Sequence, residues 1–456
     1  MSRPDLGRRR GVHIVGIGGA GMSAIATVLV AMGHEVSGSD LKDGVALERL
    51  RALGVKVAIG HDAANLGAAE FLAISSAVPT GNVEVVEARR RGIAVHRRAE
   101  VLGAISSLRR TIAVSGTHGK TTTSSMLALI LVEAGLSPSF IIGGEINEIG
   151  SGAVWDAGEW LVVEADESDG TFLELQSEIA VVTSVEPDHL DHYGSFEGLV
   201  AAFRRFLAGA SSVAIVCGDY PTAAAVAPRD VTTYGFAADS TWRITEFAGG
   251  RSEVSFVLRV GSDSATALAL PVPGRHNALN AAGAAAAAVA VGADLEAVRR
   301  ALARFGGVAR RFEFRGEANG ATLVDDYAHL PGEVAAALAT ARRGGWRRVV
   351  CVFQPHRYSR IAVLGADFAD AFVDADELVV TDIYGAGEAP RPGVSGRLIV
   401  DAVRAAHPEA DVTYLPRRTE IVDHLRRTLR AGDCCLTLGA GDLTSLADDL
   451  LAGGED

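Results

Sequence analysis

The sequence predicts an α/β protein of three domains, and three observations carry that prediction. Short apolar runs alternate with helical stretches over residues 12–106, a glycine turn with Lys and Thr separates a strand from a helix at residues 111–133, and the alternation restarts near Gly316. Such alternation builds a parallel sheet with helices on its faces, so the first and third domains read as Rossmann-like and the central one as a phosphate-loop domain. The expected boundaries are 1–107, 108–314 and 315–456.

Composition supports several buried cores, with 456 residues of which 48% are apolar. The formal charge of -13 argues against a nucleic-acid surface, so any anion must be held by local motifs rather than by bulk charge. Cys217, Cys351, Cys434 and Cys435 show no C-x-x-C spacing, which supports neither a zinc knuckle nor a disulfide framework and fits a reducing cytoplasm. Arg8-Arg9-Arg10 precedes Gly11–Gly33, a stretch whose only ionisable side chain is His13, and this resembles a signal peptide or a span. Five glycines before Met22 break a spanning helix and suit a strand, a turn and a helix from Met22 to Met32. The Ala-rich run Ala281–Val291 is too short to span and reads as a packed helix, so no membrane span is expected.

In the first domain the expected strands are Val12–Val15, Glu35–Gly38, Val55–Ile59, Phe71–Ile74 and Ala94–His96. Gly16-Ile17-Gly18-Gly19-Ala20-Gly21 fits G-x-G-x-x-G directly after the first strand, and Ser39-Asp40 closes the second. Read alone this is a dinucleotide site, but the same turn accepts any pyrophosphate, including that of a UDP-sugar. Its candidate contacts are Gly18, Gly19, Ala20, Gly21, Ser39 and Asp40.

The central domain opens with Thr111–Val114, the turn Gly116-Thr117-His118-Gly119-Lys120-Thr121-Thr122, and a helix over Ser124–Glu133. Backbone N–H groups of such a turn surround a polyphosphate, Lys120 supplies positive charge, and the Thr121 hydroxyl can sit on Mg²⁺, so the domain reads as a P-loop ATPase. The usual spacing would place Gly at 114, where this chain has Val. Strands are expected at Trp160–Val163, Ala180–Thr183 and Val213–Val216, and a small antiparallel insert over residues 231–272. Glu164 is the first of four acids past its strand, where a carboxylate is needed to hold the metal of a phosphate loop. After the next strand, Glu186 to His192 adds three acids and two histidines; without cysteines beside it, this cluster suits magnesium and phosphate better than zinc.

Strands of the third domain are expected at Thr322–Val324, Arg348–Phe353, Glu377–Thr381, Val412–Tyr414 and Cys434–Leu438. Two of them end in polar clusters, Asp325-Asp326-Tyr327-Ala328-His329 and Gln354-Pro355-His356-Arg357-Tyr358-Ser359-Arg360. Two arginines spaced by three at a strand end favour a pocket for a carboxylate or phosphate, which arginine binds by a planar fork.

Taken together these motifs resemble the Mur ligase family over nearly the whole chain. The marks, in order, are Gly16 to Ser23, Gly116 to Thr123, Glu164 to Asp169, Asp188 to Asp191, Gly274 to Asn280, Arg310 to Glu313, Asp325 to Tyr327, Gln354 to Tyr358 and Gly439 to Gly441. The resemblance implies a first domain that binds a UDP moiety rather than NAD, a central ATPase, and a third domain that presents an amino acid. It implies ATP-driven amide formation between UDP-N-acetylmuramate and L-alanine, with Lys120, Glu164 and His189 catalytic, Thr121 and Glu164 holding one Mg²⁺, and Glu164 and His189 holding a second. It further implies adenine-side contacts from His276, Asn277 and Asn280, a phosphate contact from Arg310, and an amino-acid pocket of Tyr327, His329, His356, Arg357 and Arg360. Several ligases of the family hold a second Mg²⁺ with a carbamylated lysine shortly after the segment matching Asp188 to His192; here Phe196 to Phe206 contains none. The chain also departs from the family at Ser184, where Asn is usual, at Leu330, where a second His is usual, and at Gly332, where Thr is common. Two other readings of the residues are an NAD-dependent dehydrogenase, resting on the first glycine turn and Asp40, and a non-catalytic nucleotide sensor.

Overall fold

A computed structural model describes residues 3–75, 77–228, 230–261 and 264–452. The outer ends of the expected first and third domains, residues 1–2 and 453–456, lie outside the described residues.

The first sheet contains β1 (Gly11–Val15), β2 (Glu35–Asp40), β3 (Lys56–Ile59), β4 (Phe71–Ile74) and β5 (Ala94–Arg97) in the order β3-β2-β1-β4-β5, and every pair is parallel. Helices α1 (Ala20–Ala31), α2 (Val45–Ala52), α3 (Val83–Arg90) and α4 (Arg98–Ser106) link or follow the strands. Only a 3-10 turn, Ala63–Leu66, links β3 to β4. Because the strand order reverses at β1, the turn after β1 lies at the switch point where ligands of such sheets bind.

The apolar stretch that imitates a membrane span is α1. It carries no charge, and Met22, Ile25, Ala26, Val28 and Leu29 are at most 2% exposed. One core joins these residues to Val12 and Ile14 of the first sheet and to Ile141, Leu161 and Val163 of the central sheet. A helix buried on both sides needs apolar residues all round, which a hydropathy reading cannot tell from a span. Among the described residues no helix is long and apolar enough to cross a membrane.

The central sheet runs β15-β14-β13-β12-β11-β10-β6-β9-β7-β8. Its strands are β6 (Arg110–Ser115), β7 (Ser139–Ile146), β8 (Ser151–Val154), β9 (Trp160–Glu164), β10 (Ile179–Val182), β11 (Val213–Cys217), β12 (Thr232–Gly235), β13 (Trp242–Gly249), β14 (Val254–Val260) and β15 (Ser264–Leu270). From β7 through β9, β6, β10, β11 and β12 to β13 the pairs are parallel, and β8 pairs antiparallel with β7. The segment expected as a small antiparallel insert extends this sheet, entering it by the parallel strands β12 and β13. The short link from β13 to β14, closed by Gly250 N to Glu253 O at 2.8 Å, leaves room only for an antiparallel return. Strands β7 and β8 are absent from the sequence-based expectation. Helix α5 (Lys120–Glu133) follows β6, and residues Thr122 to Leu131 of it are buried.

The third sheet has the order β16-β17-β21-β18-β19-β20, from β16 (Glu313–Ala318), β17 (Ala321–Asp326), β18 (Arg348–Phe353), β19 (Glu377–Val380), β20 (Val412–Tyr414) and β21 (Asp433–Leu438). All pairs are parallel except β16 with β17. Separate cores cover its two faces, one around Phe353, Phe368 and Phe372 and one around Leu323, Val352 and Leu425. By packing, the chain forms two compact units. The first runs as far as Glu246 and includes Phe256–Ala269 and Ala278–Phe305; the second holds Phe247–Ser255, Leu270–Asn277 and the chain from Gly306 onward.

Candidate active site

The turn between β6 and α5 is shaped by two glycines that no other residue could replace. Gly116 has φ +139° and a Cβ there would collide with Thr183 Oγ1 and lie 2.8 Å from Ser184 N. Gly119 has φ +79° and a Cβ there would run into Asn280 Oδ1. Both positions thus combine a left-handed backbone with close neighbours, the two reasons glycine is required. The segment after β10 pins the turn: Thr117 N donates to Ser184 O at 3.1 Å, His118 N to Ser184 Oγ at 2.9 Å, and Glu186 N to Thr117 Oγ1 at 2.9 Å. His118 Nε2 lies 3.1 Å from Glu186 Oε2. Ser184, at the position where the family usually carries Asn, supplies its own acceptor to the loop.

Lys120 and Thr121, the first residues of α5, reach the acidic strand end beside them. Lys120 Nζ donates to Gly116 O at 2.6 Å and to Glu167 Oε1 at 2.8 Å. Thr121 Oγ1 donates to Glu164 Oε1 at 2.9 Å, while Glu164 Oε2 accepts from Gly143 N at 2.6 Å. The parallel register that sets Val114 opposite Glu164 brings that carboxylate to the loop. Thr122 is buried, and Thr123 Oγ1 donates to Asn280 Oδ1 at 3.3 Å. Burial pushes the Glu167 carboxyl up to about 7, against the pull of Lys120, and its Oε2 is buried without a hydrogen-bond partner. Burial also works against ionisation of Asp166, but the charges of Lys120 and Arg98 and the Ser168 N–H hold its carboxyl well below the usual range.

His189 follows β10 in the segment that begins at Asp188. It adopts φ +53°, and its Nε2 lies 3.1 Å from Asp188 Oδ2. Among the described residues no group of three or more His, Cys, Asp or Glu side chains is arranged to hold a metal ion. That excludes a ready-made all-protein cage there, but a hydroxyl beside one carboxylate suits Mg²⁺, which keeps waters and takes substrate phosphate oxygens.

At the first glycine turn, Gly16 has φ +75°, Gly16 N and Ile17 N both donate to Ser39 O, and Gly19 N closes on Gly16 O. Gly18 N donates to Asp40 Oδ2 at 2.8 Å and Leu41 N to Asp40 Oδ1 at 2.8 Å, so the carboxylate that a dinucleotide reading reserves for a ribose braces the turn itself. Ala20 opens α1, and Arg98 packs against Gly21. The Ser39 side chain is fully buried and donates to Glu84 Oε2 at 2.6 Å, with His61 Nδ1 at 3.0 Å. The sequence offered no sign of this cluster, because Glu84 and His61 belong to no motif.

Of the three expected adenine-side residues, Asn280 stands against the phosphate loop in the first compact unit, whereas His276 and Asn277 fall in the second. Asn277 Nδ2 donates to Pro273 O at 2.7 Å, and burial, aided by the charge of Arg311, lowers His276 to about 4.

In the second unit Arg310, at φ +60°, donates to Asp325 Oδ2 at 3.3 Å and to Gly439 O at 2.7 Å, and its guanidinium lies 4.9 Å from the Tyr327 ring centre. Four of the five residues expected in the amino-acid pocket meet through their side chains. Tyr327 and His329 meet edge to face at 5.5 Å, His329 and His356 at 5.5 Å, and Arg360 Nη1 contacts His356 Nδ1 at 2.9 Å. Arg357 has φ +67°, fixed by its N–H to Tyr384 O at 2.9 Å, and its side-chain Nε is buried without a hydrogen-bond partner. Tyr384, stacked on His356 at 5.8 Å, is a neighbour the sequence did not reveal. Asp326 accepts from Phe312 N and Ala328 N, each at 2.8 Å, and burial raises its carboxyl to about 6.

Three family models match the chain in order: Mur ligase family, catalytic domain, at residues 11–110; Mur ligase middle domain at 114–288; and Mur ligase, glutamate ligase domain, at 310–441. The UDP-N-acetylmuramate--L-alanine ligase of Kineococcus radiotolerans is 48% identical, covering 98% of this chain and 96% of that one. Its counterpart in Pelotomaculum thermopropionicum is 45% identical, with 98% of each chain covered. Among solved structures, the UDP-N-acetylmuramate-alanine ligase of Thermotoga maritima superposes with a TM-score of 0.82 at 28% identity, covering 97% of this chain and 99% of that one.

Proposed function

The chain belongs to the Mur ligase family, and we propose that it is an ATP-dependent ligase joining L-alanine to the lactyl carboxylate of UDP-N-acetylmuramate in peptidoglycan precursor synthesis. The observation that carries this reading is the Thr121–Glu164 contact beside Lys120 at the start of α5, in a chain of that family. A carboxylate is a poor electrophile, so the reaction needs its activation. Transfer of the γ-phosphoryl group of ATP to the lactyl oxygen gives an acyl phosphate and ADP; the free amine of alanine then adds to the carbonyl, loses a proton, and expels phosphate. Lys120 neutralises charge on the transferring group, and the N–H groups of residues 116–122 cradle the polyphosphate.

Thr121, Glu164 and His189 are the residues that would hold Mg²⁺. Bound there, the ion would offset charge on the phosphoryl oxygens. Asn280 shapes the loop, and with His276 and Asn277 it is proposed on the adenine side; Arg310 is proposed to reach the phosphates. The Gly18–Gly21 turn and Asp40 would receive the UDP moiety, with Ser39 supporting the turn from beneath. Tyr327, His329, His356, Arg357 and Arg360 would form the alanine pocket, where the unpartnered Arg357 Nε supports an anionic ligand. Residues 1–107, 108–314 and 315–456 would be the UDP-substrate, ATP and amino-acid domains of a cytoplasmic enzyme.

Phosphate release from ATP, measured with UDP-N-acetylmuramate and L-alanine, glycine or L-serine in turn, tests this. Turnover that needs both the sugar nucleotide and an amino acid is expected, with L-alanine preferred; phosphate release independent of both would overturn the reading.

A further inference from the structure

We propose that Arg98 is the positioning residue through which the sugar-nucleotide turn and the phosphate loop sense each other's ligands, an inference that rests on the ligase reading. Arg98 opens α4 directly after β5. Its Nη2 donates to Asp166 Oδ2 and to Asp169 Oδ2, each at 2.9 Å, and reaches Thr171 Oγ1 at 3.4 Å. The other prong faces the first turn of α1, where a Cβ built on Gly21 would lie 3.0 Å from Nη1 and 3.4 Å from Cδ. One side chain thus lies between the helix N-terminus that would receive the diphosphate and the acidic loop that follows Glu164. The contacts continue inward, because Glu167, the neighbour of Asp166, takes Lys120 Nζ at 2.8 Å.

The consequence follows from the shape of the group. A guanidinium is planar, with its donors in a fixed fork, so Nη1 cannot turn toward an anion at α1 without carrying Nη2 along. Nη2 holds Asp166 and Asp169, so a diphosphate that orders Arg98 also orders the loop bearing Glu164 and Glu167. A nucleotide that arrives next no longer bears that ordering cost, and the coupling is positive. It is also reciprocal, since two ligands that bind one protein must change each other's affinity by the same factor. A simple staple between the first sheet and the central one would make the same bonds, yet its loss would lower stability without touching the coupling.

The test uses the full chain and isothermal titration of UDP-N-acetylmuramate, with and without saturating Mg²⁺ and a non-hydrolysable ATP analogue. In the wild type the analogue should tighten binding by about fivefold or more, the lower end of ordinary coupling between sites. Arg98→Lys keeps the charge and loses the fork; Asp169→Asn weakens the same bond from its far side. Both should bring the coupling to within about twofold of none, and thermal melting reports whether each variant is folded. A wild type without coupling, or variants that melt lower while keeping the full coupling, would overturn the role of Arg98 alone. Failure of the wild type to bind UDP-N-acetylmuramate would overturn the ligase reading and this inference with it.

Discussion

Lys120 and Arg357 show most directly how single side chains carry the proposed chemistry. Lys120 is bound to the loop carbonyl of Gly116 and to Glu167, so its ammonium already stands within the cradle before a ligand arrives. Lys120→Ala should lower turnover by about 10³ or more, the usual scale for removing a charge that acts on a transferring phosphoryl group. UDP-N-acetylmuramate binding should survive, because the first glycine turn makes no bond to Lys120; near-normal phosphate release by the variant would refute the loop assignment. Arg357 offers a buried Nε with no hydrogen-bond partner, held by a strained backbone at φ +67°. Arg357→Lys should therefore raise the alanine KM far more than the ATP KM, because an ammonium cannot reproduce a two-pronged contact with a carboxylate. Loss of ATP affinity instead would show that the amino-acid pocket has been misplaced. Residues within motifs were legible from sequence, and Arg98, Glu84 and Tyr384 were not. Their roles come from partners distant in the chain: 68 residues separate Arg98 from Asp166, and 45 separate Ser39 from Glu84.

Elements were legible where a short β-prone run is closed by a clear break. Phe71–Ile74, Arg348–Phe353 and Val412–Tyr414 have the same limits in sequence and structure. β7 escaped notice because its apolar run, Phe140-Ile141-Ile142, passes straight into Gly143-Gly144-Glu145, which reads as a turn. The structure keeps those glycines in the strand, and a Cβ on Gly143 would lie 2.9 Å from Glu164 Oε2, so small residues there give the carboxylate its room. β12 and β13 fall in the expected small antiparallel insert because their alternating pattern looks antiparallel, but strand direction is decided by how the chain crosses over and not by periodicity. Helix α1 makes the opposite lesson testable. Its burial between two sheets, with Leu29 wholly inaccessible, predicts that Leu29→Ala lowers stability by about 2–5 kcal/mol in urea unfolding. A loss under about 0.5 kcal/mol, the scale of surface substitutions, would mean that the helix is not packed on both sides.

At the scale of the whole molecule, charge composition limits what chemistry the metal site can use. Only Lys42, Lys56 and Lys120 are present in 456 residues, against 40 arginines. A carbamate forms on a neutral amine, and a guanidinium stays protonated, so arginine cannot take that place. Lys42 and Lys56 lie in the first sheet and the loop beside it, and Lys120 is engaged by Glu167. The helix Phe196–Ala208, which follows the Asp188 to His192 segment, offers Arg204 and Arg205 but no lysine. In the proposed site the metal would then be held by the Thr121 hydroxyl, the Glu164 carboxylate and His189, with water and phosphate oxygens filling the remaining positions as magnesium commonly allows. Activity should accordingly be indifferent to bicarbonate after carbon dioxide is removed, and intact-protein mass should show no carbamate. His189→Ala should raise the Mg²⁺ concentration needed for half-maximal activity while leaving the alanine KM unchanged, because His189 lies in the first compact unit and His356 in the second. Stimulation by bicarbonate would mean that one of the three lysines reaches the metal, and an unchanged Mg²⁺ requirement in His189→Ala would leave the ion to Thr121 and Glu164 alone.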